Sequence, residues 1–434
     1  MKEAWDVVVI GGGPAGMMAA GTAAKELKNK GRASPVDSLR PRVLLLEKND
    51  SLGKKLLITG GGRSNITNEE FDTRALLKKF KESEQFLFSA FSQFAVTHAL
   101  EFFHGRGMET KTEKLQRVFP LSNTARSVWE TLVAYMKESG VEVKSRSPID
   151  DFIVEDKKIV GVRLKNKKEI FAKHIILATG GFSHPETGST GDGFEILKKI
   201  GHTVVPPSMA LVPITTSDAW GHKIPGAAMS AKITLFQNSE KQYVSEGRVL
   251  FTHQGLSGPG ILNASSEVGE LLKYGEVELQ LDIVPHLSYD TLNFKLQDIF
   301  KTHSNKKLKN ALSDVAPGGL LVGLEELSGI SFETACNSVT REQRLALVKL
   351  FKHIPLHPTG LLGEDKAIIT SGGVVLEEID FKTMQSRLYP NLYIVGDLLN
   401  IDRPSGGYSL QLCWTTGFVA GKAAADITLT NTLK

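Results

Sequence analysis

Three glycines, Gly11, Gly13 and Gly16, stand at the spacing G-x-G-x-x-G, with Pro14 and Ala15 between the second and third. This spacing suits the holding of a diphosphate against bare backbone at a helix start. Gly11 permits a tight turn, Gly13 lets backbone approach a pyrophosphate, and Gly16 lets helix and strand pack closely. Glu47 follows Gly16 by 31 positions and is an acid suited to bind ribose hydroxyls. The usual interval is about 20 residues. The polar, basic stretch Lys28–Arg42 accounts for the excess as a surface loop insertion.

Further along, Gly53–Thr59 runs into Gly60, Gly61, Gly62, Arg63, Ser64 and Asn65. A glycine run followed by Arg and Asn offers backbone that can lie against a flat ligand, with cationic and amide donors beside it. This favours FAD over NAD; the plain alternative is a Gly-rich surface loop. Asn65 occupies the place of a third glycine, so the run is not a second dinucleotide fingerprint. No separate nicotinamide-binding Rossmann domain is visible. Near the C-terminus, Asp397 follows Gly396 and can accept a hydrogen bond from a ribityl hydroxyl.

The elements that must position these groups are legible as short apolar runs. Asp6–Ile10 and Val43–Glu47 read as buried parallel strands. Ala15–Leu27 reads as the helix between them, its N-terminus turned to phosphate. Glu169–Ala178 is a strand closing on Thr179, Gly180 and Gly181, and Asn391–Asp397 is a late strand ending in Gly-Asp. The loop Arg403–Ser409 then enters a helix over about Ser409–Ile427, rich in small residues. Its N-terminus would face the pyrimidine end of an isoalloxazine, where the dipole favours negative charge. A glycine loop in the first segment and a Gly-Asp in the last describe a flavin domain interrupted by an insertion.

That insertion has two textures. Ala231–Phe236, Glu276–Asp282 and the stretch around Val249–His253 alternate as half-buried strands and suggest a small β-barrel. Leu292, Leu296, Ile299 and Phe300 follow helical spacing, and Thr340 with Gln343 forms a capping-box signature.

Several long motifs together resemble the YhiN/BaiN-like family of NAD(P)/FAD-dependent oxidoreductases, a branch of the glutathione-reductase-like flavin fold. They are GKKLLITGGGRSNITN (53–68), RVFPLSNTARSVWETL (117–132), GSTGDGFEILKKIGH (188–202), LFTHQGLSGPGIL (250–262) and GDLLNIDRPSGGYSLQLCW (396–414), and the resemblance covers nearly the whole chain. Ser64 stands where the family usually has cysteine, and Asp397 where it commonly has glutamate.

The resemblance implies a two-segment, Rossmann-like α/β FAD domain (1–199 and 366–434). It is interrupted by a β-barrel insert (200–287 and 353–365) that carries a helical subdomain (288–352). It implies FAD contacts from Gly11, Gly13, Pro14, Ala15 and Gly16, then Glu47 and Lys48, then Lys54, Lys55, Gly61, Gly62, Arg63, Ser64 and Asn65. It adds Val143 against the adenine, Ala178, Thr179 and Gly180 near the cofactor, and Gly396, Asp397, Gly407, Tyr408, Ser409 and Leu410. Family members have been linked to reduction of carbon–carbon double bonds in steroid-like acids and to oxidation of small amines. The insert is expected to cover the isoalloxazine. His253 and Tyr408 are weak catalytic candidates, each with an ordinary structural role as its alternative.

Bulk properties narrow the classes. Charged residues make up 23% and the formal net charge is +4, which argues neither for nor against a nucleic-acid partner, though none is expected. Two distant cysteines, Cys336 and Cys413, exclude a disulfide scaffold and a CxxC relay. No long apolar run or signal peptide is visible, so no membrane association and a cytoplasmic location are expected. His353 and His357 are separated by Pro355 and form no helical metal pair. The expected protein is an FAD-dependent oxidoreductase moving hydride between flavin and a small organic substrate, with NAD(P)H or oxygen closing the cycle. A flavin-dependent RNA-modifying enzyme and a non-catalytic FAD-binding regulator are the competing readings.

Overall fold

The computed structural model describes residues 4–31, 42–362 and 369–432. Packing divides the chain into two units, Met1–Met209 with Ile369–Lys434, and Ala210–Ile368.

The first unit is built on a parallel sheet. Trp5–Ile10 lies between Val43–Leu46 and Glu169–Leu177. Glu142–Lys144 extends the sheet beyond Val43–Leu46. Leu392–Ile394 pairs in parallel with the second half of Glu169–Leu177. The first half of that strand instead takes an antiparallel partner, Lys158–Leu164, itself paired with Ile149–Glu155. Val7, Val8, Val9, Leu45, Ile175, Ile176 and Leu177 are wholly buried. Such runs, rather than alternation, are what a sheet covered on both faces requires.

The five parallel strands all end at one edge, and their chain order reverses between Trp5–Ile10 and Glu169–Leu177. In open α/β sheets ligands bind at that switch point, outside the C-terminal strand ends. Helices Pro14–Gly31 and Tyr408–Thr432 pack closely through small residues. A methyl on Gly417 would meet the Ala15 carbonyl at 2.4 Å, and one on Gly421 the Ala19 carbonyl at 2.5 Å.

Some boundaries move. The first helix runs to Gly31, so Lys28–Gly31 is helical rather than loop. Lys and Asn here are tolerable helix formers once the apolar face is anchored. The rest of the supposed insertion, 32–41, lies outside the described residues. The last helix runs from Tyr408 to Thr432.

His174 sits in the middle of this sheet, buried, with its Nδ1 lacking a hydrogen-bond partner among the described residues. Burial pushes its imidazole down from 6.5 to about 4. The folded state thus keeps it neutral where the unfolded chain already binds a proton. Its contribution to stability is intact above pH 6.5 and is lost as pH falls toward 4, by about 3 kcal/mol in all. Denaturant titrations at pH 7, 5.5 and 4.5 should show this loss, and His174→Gln should flatten the profile.

The second unit holds an antiparallel seven-stranded sheet. Its order is Ile354–Leu356, Glu278–Asp282, Ala228–Gln237, Glu240–Thr252, Gly255–Ser257, Ile214–Thr216, Pro358–Leu361. The two end strands are separated in the chain by His357 alone. The sheet must therefore curl until its edges adjoin, which gives a nearly closed barrel. Four helices, Tyr289–Thr302, Leu308–Ala311, Gly318–Ser328 and Arg341–Lys352, form the helical part. Leu292, Leu296, Ile299 and Phe300 are buried on the first of them. The capping box is complete: Gln343 N–H donates to the Thr340 hydroxyl at 3.2 Å, and Thr340 N–H to the Gln343 amide oxygen at 2.9 Å. His353 bonds Gln280 and His357 bonds Asp218, so the two do not converge.

Candidate functional site

The strand Trp5–Ile10 delivers the glycine turn to the switch point. Gly11 has φ of 105° and lies against the Ala178 carbonyl, where a methyl would sit at 2.4 Å. On Gly16 a methyl would sit 1.9 Å from the Gly11 oxygen, so turn and helix touch backbone to backbone. Gly13 differs: nothing lies within 4 Å of where its methyl would be. One face of the turn is thus closed against the protein and one is open. Gly13→Ala should leave unfolding free energy unchanged to within about 0.5 kcal/mol. It should weaken FAD binding by about tenfold or more, since a methyl excludes close approach of a pyrophosphate. Paired thermal melts and flavin titrations check both halves.

Glu47 ends the next strand and is buried. One carboxylate oxygen accepts the Gly12 N–H at 2.7 Å and the other the Asn49 N–H at 2.8 Å. The acid therefore pins the glycine turn, and its remaining lone pairs are what a ribose could use. Lys48 turns away to Thr190 and Asp192, at 2.7 and 2.9 Å. Lys54 pairs on the surface with Asp50. Val143 lies on the edge strand Glu142–Lys144, half exposed.

Asp397 is held from both sides. Arg403, whose side chain is wholly buried, binds one oxygen, and Lys55 approaches the other at 3.4 Å. Burial raises the carboxyl's pKa, but Arg403 and Lys55 more than offset this and hold it below the usual carboxylate value. Arg403 also donates to the Ser409 hydroxyl at 3.0 Å and the Ile401 carbonyl at 2.8 Å. Lys55 donates to Ser183 at 2.5 Å. One carboxylate against two cations leaves one positive charge in excess within this cluster. Ser409 is the second residue of the last helix, so that helix's positive end adds to it. The sequence marks Asp397 as an acceptor, and the structure adds two cations bound to it. Leu410 is buried. Cys413, near Gly396, is a free thiol pushed by burial up to about 12, too high to act as a thiolate.

The Lys54–Asn65 stretch is largely helical rather than loop. Lys54–Gly62 is one helical segment kinked at Thr59, with Gly60 and Gly61 left-handed. Ser64 is buried, and Asn65 has a buried side-chain oxygen without a partner among the described residues. Arg63 lies over the Phe119 ring at 4.2 Å and binds Glu113 and Asn123. It holds the small sheet formed by Thr67–Asn68, Arg117–Pro120 and Thr110–Glu113. That sheet's tip is left-handed at both Leu115 and Gln116, and Leu115 is exposed.

Tyr408 opens the last helix, buried edge-on to Phe80, and burial raises its phenol above the ordinary value. His253 belongs to the second unit, exposed in the turn between Glu240–Thr252 and Gly255–Ser257. Ser183 bonds Lys55, Asn49 bonds Glu47 and Asn68 bonds Gly406. Of these, only Asn68 carried a signal in the sequence, as the last residue of the 53–68 motif.

The open glycine face and the excess positive charge suit a bound diphosphate. Buried oxygens of Asn65, Asn68 and Thr179 without partners among the described residues suit hydroxyl and N–H donors of a large ligand. Among the described residues there is no group of three or more His, Cys, Asp or Glu able to hold a metal. No helix there is long and apolar enough to cross a membrane.

A family model described as HI0933-like protein Rossmann domain matches residues 5–423. The chain is 30% identical over 423 residues to the 3-dehydro-bile acid delta(4,6)-reductase of Clostridium scindens, covering 96% of this chain and 98% of that one. It is 28% identical over 426 residues to the ribosomal RNA dihydrouridine synthase of Escherichia coli, covering 97% and 98%. Among solved structures, 3-ketosteroid delta1-dehydrogenase from Sterolibacterium denitrificans is similar in fold. Its TM-score is 0.55 and its identity 14%, over 98% of this chain and 100% of that one.

Proposed function

We propose that this chain, which belongs to the HI0933-like Rossmann-domain family and is an FAD-dependent oxidoreductase, reduces a carbon–carbon double bond conjugated with a carbonyl. One observation carries the reading: two relatives named for unlike molecules are named for the same bond chemistry. A 3-dehydro bile acid bears a ketone, and delta(4,6) double bonds are conjugated with it. Dihydrouridine is uridine whose ring double bond, conjugated with a carbonyl, is saturated. Such bonds accept hydride at the β-carbon and need a proton at the α-carbon.

Bound FAD supplies the hydride chemistry. The glycine turn and Glu47 would hold its dinucleotide part. Arg403, Lys55 and the N-terminus of the last helix would favour negative charge nearby. Tyr408 is a candidate proton donor, since a phenol is protonated at neutral pH. NAD(P)H is the proposed source of reducing equivalents.

The substrate is a small steroid-like enone in the leading reading. RNA is the second, favoured by the name of one relative. The test is the visible spectrum of the purified protein under anaerobic NADH or NADPH, followed by a 4,6-dien-3-one steroid acid or by unmodified ribosomal RNA. Flavin that bleaches and regains colour with the steroid supports the leading reading. Return of colour with RNA alone supports the second. Bound flavin that no donor reduces supports a regulator and overturns both.

A further inference from the structure

Asn68 is 4% exposed. Its Nδ2 donates to the Leu115 carbonyl at 3.0 Å and to the Gly406 carbonyl at 3.3 Å. Two carbonyl partners can be met only by the nitrogen, so the orientation of the amide is settled by its bonds. Oδ1 therefore faces the other way. It is buried and has no hydrogen-bond partner among the described residues. A buried acceptor left unmet is destabilising, and a ligand N–H would recover that loss.

Its position says which N–H. Gly406 and Gly407 lead directly into the helix Tyr408–Thr432. A methyl on Gly407 would lie 2.3 Å from the Thr67 carbonyl, so this turn rests on the residue preceding Asn68. Asn68 is thus tied through its Nδ2 to the turn that opens this helix, whose first N–H groups are donors. Donors flanking an acceptor complement a ring edge that presents an N–H between two carbonyls. The pyrimidine end of an isoalloxazine has that edge, with N3–H between its C2 and C4 carbonyls.

We propose that Asn68 is a cofactor-binding residue whose Oδ1 accepts the flavin N3–H. The proposal rests on the FAD reading above. The test titrates full-length apoprotein with FAD and with N3-methyl-FAD, following quenching of flavin fluorescence. Wild type should bind FAD about tenfold or more tighter than the methylated analogue. Asn68→Ala should bind the two within about threefold of each other, because the contact that discriminates is gone. Equal binding of both by wild type overturns the proposal. So does full discrimination retained by Asn68→Ala. The wild-type arm needs no variant, and Asn68→Ser repeats the second arm if the alanine protein does not fold. Apoprotein that binds neither flavin overturns the FAD reading itself, an outcome distinct from the other two.

Discussion

Replacing Arg403 with methionine is expected to lower the unfolding free energy by about 3–5 kcal/mol, the usual cost of stripping one partner from a buried ion pair. Asp397 would be left with Lys55, whose nitrogen stands 3.4 Å away. The Ile401 carbonyl and Ser409 hydroxyl would lose their donor as well. The variant should also respond differently to acid. In the native protein Asp397 is held below its ordinary value of 3.8. That contribution is present at neutral pH and is lost as pH falls below the unfolded value. Without Arg403 burial dominates, the carboxyl rises, and the loss begins at higher pH. Adding Asp397→Asn should restore part of the stability, since the uncompensated charge is then removed. Urea titrations of both variants at pH 7 and pH 5 decide the matter. A loss under 1 kcal/mol for Arg403→Met would show that the cluster is solvated and not a buried pair.

Gly16→Ala should be the most damaging single methyl among the described glycines. The added carbon would lie 1.9 Å from the Gly11 oxygen and 3.2 Å from the Ala178 side chain. Neither the turn nor the strand can yield, because Gly11 N–H is tied to Leu46 and Ala178 N–H to Ile10. Overpacking of this kind costs about 1–3 kcal/mol. The displaced turn should weaken FAD binding roughly a hundredfold, about 2.8 kcal/mol at 1.4 per decade. The protein should purify colourless and regain flavin absorbance only at high added FAD. Gly13→Ala, three residues away, should lose affinity without losing stability. If the two variants behave alike, the division of the turn into a closed and an open face is wrong.

The parallel strands were legible because burial on both faces leaves no room for alternation: Val7–Ile10 and Leu44–Leu46 are apolar without a break. The glycine turn was legible because its spacing serves one geometry. Glu142–Lys144 was harder, since an edge strand with exposed side chains has no burial pattern to display. The Gly60–Gly62 run suggested backbone able to lie against a flat ligand, but not that the preceding Lys54–Ile58 is helical and that the glycines end it in left-handed turns. Least legible were the long-range polar bonds. Lys55 and Asp397 are 342 positions apart, and Asn68 and Gly406 are 338 apart. No local periodicity encodes which lysine meets which acid across such intervals. Position within a long motif marks these residues as unusual without naming their partners.

The pairing of Leu392–Ile394 with the second half of Glu169–Leu177 has a consequence for biogenesis. The strand that completes the sheet emerges from the ribosome only after the whole Ala210–Ile368 unit. At 5–20 residues per second, the roughly 215 intervening residues take about 10–40 s. Through that interval the Ile175–Leu177 edge, entirely apolar, has no strand partner on that side. An open apolar edge is a template for mispairing. The nascent chain should therefore depend on holding factors until the last tenth of the protein is made. Truncations ending before residue 392 should aggregate even though every glycine of the phosphate turn is present.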